Sequence, residues 1–144
     1  MRSSKIASFA ALVGGVAWLV KVALIWANGG ENTDGGPVAA CYFLGLVVLA
    51  VALLAGGYTT VATAPAWLRL VVSVATVLLG WIIFTSIGSA AQGVYTADTW
   101  LRDELGIMIS ALLALLGATI GFARIRATAP AAPPKHGGHR AHRH

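Results

Sequence analysis

The sequence predicts an all-α fold, an integral membrane antiparallel four-helix transmembrane bundle. Three observations carry that expectation: a shortage of charge, four long apolar runs, and a one-sided distribution of the charges that remain. Charged residues make up 10% of the 144 and hydrophobic residues 58%, whereas soluble domains carry about 25% charged residues. The apolar runs cover 6–27, 38–58, 70–91 and 105–123, each near the ~20 residues needed to cross a hydrocarbon core. With flanking interfacial residues the spans are placed at about 6–27, 38–58, 68–91 and 101–123. Residues 1–126 then form one transmembrane domain, followed by a Pro- and His-rich basic tail over 127–144.

Orientation follows from the charges. Arg2 and Lys5 precede the first span, Arg69 lies in the link between the second and third, and Arg124, Arg126, Lys135, Arg140 and Arg143 follow the fourth. Glu31, Asp34, Asp98, Asp103 and Glu104 all fall in the two alternate connections. Basic residues stay cytoplasmic, so both termini are expected on the cytoplasmic side of a bacterial inner membrane. Only Lys21 and Arg102 depart from this partition. The formal net charge of +5 reads as anchoring to anionic lipid, chiefly by the tail. No basic patch with interleaved aromatics points to nucleic acid.

Taken in order, the first span is read as an uncleaved helix, because Lys21 interrupts its apolar core and no small-residue cleavage site follows. The segment 28–36 is a polar, glycine-rich turn. Span two is rich in small residues, with Cys41, Gly45, Ala52 and Gly56 near one face. Cys41 is the only cysteine, which excludes an intrachain disulfide. The short 59–66 link makes spans two and three neighbours. The outer end of span three, 85–92, is weakly apolar and expected to fray. Asp98 or Thr99 can cap span four. Trp26, Tyr42, Tyr95 and Trp100 suit one interfacial belt, and Tyr58, Trp67 and Phe122 the other. Pro130, Pro133 and Pro134 with Gly137 and Gly138 predict a disordered tail. Its His136, His139, His142 and His144 read as solvated rather than as a metal site.

One residue type is costly where it stands. A lysine at the centre of a span costs roughly 2.5–3.5 kcal/mol on insertion scales and less near the interface. Lys21 shares a helix face with Ala7, Ala10, Gly14 and Ala17, at spacings of three and four. Small residues on one face permit close helix approach in lipid, so Lys21 ends a packing seam. On span four, Asp103, Gly106, Ser110, Gly117 and Gly121 lie within roughly 60° of one another at 3.6 residues per turn. Glu104 is expected to face the headgroups. The seams predict a Lys21–Asp103 ion pair at the outer face, with Arg102 and Trp18 nearby. Outward snorkelling of Lys21 and an anion or lipid site at Lys21 and Arg102 are the competing readings.

These residues constrain function mainly by what they omit. No histidine falls within a span, and no serine or cysteine has a buried base at helical spacing, so neither catalysis nor a cofactor is expected. In size and span number the chain resembles the small multidrug exporters. That resemblance implies an acid in the first span to bind protons and cations, where this sequence has Lys21. The expectation is therefore a non-catalytic accessory or partner-binding membrane subunit, binding other membrane-protein subunits or a second copy. The alternative is a small transporter, or an anion- or lipid-binding protein using Lys21 with Asp103 and Arg102.

Overall fold

The computed structural model describes residues 2–31, 35–95 and 99–128. The expected C-terminal tail from residue 129 on, its histidines, and Asp98 as a cap lie outside the described residues. Four α-helices account for nearly all of the rest: α1 (Arg2–Ala27), α2 (Gly36–Thr60), α3 (Ala66–Val94) and α4 (Trp100–Ala127). Each is long and apolar enough to cross a membrane.

Backbone chemistry sets the helix ends. α1 stops at a pair of glycines in the left-handed region, Gly29 at φ 75° and Gly30 at φ 91°. The Gly30 N–H donates to the Ile25 carbonyl and the Gly29 N–H to that of Trp26, the paired hydrogen bonds of a Schellman closure that a Cβ would disfavour. α2 opens with Pro37 in its first turn, where the missing N–H costs nothing. α3 opens after Pro65, and Arg69 Nε donates to the Ala64 carbonyl at 2.7 Å, tying the link to the helix. Thr99 occupies the N-cap of α4 with extended backbone, but its side chain makes no capping bond.

The expected fraying of 85–92 does not occur. α3 continues without a break to Val94, and within it Thr85 and Ser89 return their hydroxyls to the helix, donating to the Trp81 and Thr85 carbonyls at 3.1 and 3.0 Å. Two of the three hydroxyls in this stretch are thus satisfied within the helix and need no help from water.

α1 packs on α2 and α4, and α3 packs on the same two helices. The four form a ring with α1 diagonal to α3. α1 carries the largest share of the core: Ala10, Ala17, Trp18, Val22 and Ile25 are buried, whereas Leu70, Leu78, Leu79 and Ile82 on α3 are exposed. Glycines fix the close approaches. A Cβ on Gly14 would stand 2.6 Å from Leu49 Cγ, and one on Gly57 2.8 Å from Ser73 Cα. Gly15 lies against the Ala111 carbonyl and Leu115, and Gly121 against Ser8.

A candidate site at the Lys21–Glu104 pair

At one end of the bundle, α1 and α4 meet over a buried charge pair. Lys21 Nζ lies 2.5 Å from both Oε1 and Oε2 of Glu104, and the two residues are only 5% and 3% exposed. Lys21 is six residues before the end of α1 and Glu104 four after the start of α4, about 9 and 6 Å along the helices at 1.5 Å per residue. The pair is therefore set inside the bundle and Lys21 does not snorkel. Both the lysine and the carboxylate lose water, and each offsets the other's desolvation.

This corrects the expected Lys21–Asp103 pair. Asp103 is exposed and Glu104 is buried, the reverse of the predicted facing. The reason is the rotational phase of α4. Successive residues on a helix are 100° apart, so choosing between neighbouring acids requires knowing which stripe of small residues faces α1. The sequence suggested Gly106, Ser110, Gly117 and Gly121, but the residues buried on α4 are Glu104, Gly106, Ala111 and Ala118. Glu104 and Ala111 meet α1 and Ala118 continues their seven-residue repeat, while Gly106 turns to α3. Gly117 is exposed, and a Cβ there would meet nothing within 4 Å; it makes no helix contact of the expected kind.

Around the pair stands an aromatic wall. Trp18, one turn below Lys21 on α1, is 4% exposed. Its Nε1 donates to the Tyr42 carbonyl at 3.1 Å, and its indole stacks on the Tyr42 ring with centroids 6.4 Å apart. Phe84 of α3 closes the other side at 5.0 Å. The indole fits because position 45 is glycine: a Cβ there would overlap the five-membered ring. Tyr42, expected at the interface, turns inward, and the Lys21 ammonium sits 5.5 Å from its ring centroid. A cation over an aromatic face is a second source of stabilisation for the buried charge.

The other predicted residues distribute as follows. Gly106 meets Gly88 of α3 with a virtual Cβ 2.7 Å from the Gly88 Cα, a backbone-to-backbone approach beside the charge pair. Trp100, the first residue of α4, packs on Gly30, so the cap of α1 is fastened to the start of α4. Arg102 is half-buried and has no ion-pair partner among the described residues. Ser110 is half-buried, and its Oγ is the buried side-chain atom without a hydrogen-bond partner among the described residues. No cluster of three metal-ligating side chains occurs among the described residues.

Sequence reasoning missed Glu104, Tyr42, Gly88 and Gly15. The seven-residue repeat of Glu104, Ala111 and Ala118 was the available signal for the first. No protein-family model, curated protein or solved structure matches the chain.

Chemically, the arrangement is an internal clamp. The ammonium is held by both oxygens of one carboxylate and flanked by the Tyr42 ring, so its charge is compensated inside the bundle. The carboxylate is equally engaged and shielded.

Proposed function

We propose that this is a non-catalytic multi-pass protein of the cytoplasmic membrane of a bacterium, with antiparallel spans, both termini inside, and a role as an accessory subunit that docks another transmembrane helix. The alternation of basic and acidic connections supports the orientation. The contacts Lys21–Glu104, Gly15–Ala111 and Ser8–Gly121 run in opposite chain directions, as antiparallel neighbours require.

The observation that carries the docking role is the outward face of α3 near its end. Ser86, Ser89, Ala90 and Gly93 are all exposed there. Much of the remaining exterior carries large apolar residues, as at Phe9, Phe43, Val47, Leu78 and Ile82. Lipid offers no reason to present small residues outward, whereas a second helix does, because close backbone approach is what drives association in a bilayer. The internal charges point the same way. Lys21 and Glu104 are spent on each other, which favours a structural role for that pair over an anion site at Lys21, Asp103 and Arg102.

The test is assembly state in mild detergent and in nanodiscs. The protein should purify with a stoichiometric second membrane subunit or a second copy, and Ser89→Cys should crosslink to it. Ser86→Leu with Ala90→Leu should dissociate the assembly while leaving the helical content unchanged. A wild-type protein that is monomeric and partnerless in both environments would overturn the proposal.

A further inference from the structure

Away from the charge pair, the helices part around an elongated space of about 740 Å³ lined by all four of them. Small-molecule sites span about 300–1,000 Å³, so the volume is that of a ligand site rather than a packing defect. Its lining on α1 runs from Ser4 to Trp18, about 21 Å at 1.5 Å per residue and roughly twice the ~11 Å diameter of a sphere of that volume. Trp18 and Phe84 close it toward the charge pair, and Arg124 and Thr128 stand at the opposite end.

The space also opens sideways. α3 and α4 touch at Gly88 and Gly106. Seven residues farther from the charge pair, the same two helix faces carry Trp81 and Leu113. Both line the space and both are 51% exposed, so the helices have separated by that level.

We infer that this slot holds an acyl chain of an anionic membrane lipid, entering between α3 and α4, with its headgroup at Arg124. The walls suit a chain: Ala7, Leu49, Leu53, Val77 and Ala114 are apolar, and water in the slot would find few of the polar partners it needs. Polar groups gather at the mouth, where Ser4, Thr59, Arg124 and Thr128 line the space. The charge there is uniformly positive. Lys5, Arg69, Arg124 and Arg126 lie at this end, and the described carboxylates, Glu31, Asp103 and Glu104, all lie at the other. Basic pockets between transmembrane helices recognise anionic headgroups in this way. A hydrocarbon tail gains little by leaving bilayer for slot, so the headgroup contact determines which lipid is retained.

The inference rests on the membrane placement proposed above and not on the docking of a partner. It is tested by incorporating the chain into nanodiscs of equal phosphatidylglycerol and phosphatidylcholine, extracting it gently and weighing it by native mass spectrometry. The wild type should retain one phosphatidylglycerol per chain. Arg124→Gln should reduce the preference for phosphatidylglycerol about fivefold, the weight of one basic residue at an anionic surface. Gly117→Leu, which projects into the slot where a Cβ meets nothing within 4 Å, should reduce retention of both lipids. Excess inorganic phosphate should leave the adduct in place. Equal retention of the two lipids by the wild type, unchanged retention in both variants, displacement by phosphate, or a lipid-free dimer would each overturn the inference. A chain that fails to enter nanodiscs at all would overturn the membrane placement, and the lipid site with it.

Discussion

The two ends of this bundle solve the problem of helix contact in opposite ways. At the Lys21 end, glycine meets glycine, an indole lies flat on Gly45, Trp100 covers the Gly30 cap, and the charges are neutralised at 2.5 Å. At the Arg124 end the same helices diverge around a 740 Å³ slot, and one glycine of α4, Gly117, is placed where nothing touches it. The contrast is sharpest on α4 itself. Gly106 and Gly117 are eleven residues apart in one helix, yet one is a backbone contact and the other an open wall. Small residues in a span therefore have two distinct uses: letting helices in, and keeping space clear between them.

Breaking the charge pair tests the closed end most severely. Glu104→Ala leaves a buried ammonium, and Lys21→Met a buried carboxylate. Each should destabilise the protein by about 3–5 kcal/mol in detergent unfolding, while Lys21→Met with Glu104→Met together should recover to near wild type or beyond. Additive single effects would show that the pair is not coupled. Asp103→Asn is the internal control, expected within about 0.5 kcal/mol of wild type, as for other surface changes.

Glycine substitutions compare the two ends directly. Gly106→Ala forces a Cβ against the Gly88 backbone and should cost about 1–3 kcal/mol, the usual range for overpacking. Gly117→Ala meets no atom and should stabilise by about 0.5–1 kcal/mol, the helix preference of alanine over glycine. Equal effects at the two positions would erase the distinction between the ends. Trp18→Phe tests the aromatic wall of the closed end. It keeps much of the aromatic surface but removes the hydrogen bond to the Tyr42 carbonyl, a loss of about 0.5–1.5 kcal/mol visible as a lower melting temperature.

Much of the candidate site was legible in part. Lys21 stands out because ionisable groups in apolar runs are expensive, and its face with Ala10, Gly14 and Ala17 is the buried face of α1. Trp18 was named for proximity alone; its bond across to α2 needed Gly45 beneath the ring. The acid partner was not legible. Asp103 and Glu104 are adjacent, each with small residues at helical spacing, and a glycine-rich stripe looked more attractive than one of alanines. Glycine gave the wrong answer because Gly117 borders a slot. The 85–92 segment looked too polar to stay helical because the return of its hydroxyls to its own carbonyls cannot be read from hydropathy.

The sequence by itself determined four helices, their approximate bounds and the presence of one costly lysine among them, because span length and desolvation depend on composition along a single helix. The tertiary structure alone decided that Glu104 meets that lysine, that Tyr42 turns inward, and that the far end stays open. Those outcomes depend on the rotational phase and divergence of helices relative to one another. Phase is fixed jointly by contacts such as Gly15 against Ala111 and Gly106 against Gly88, which bring together residues too distant in the chain for any local pattern to relate.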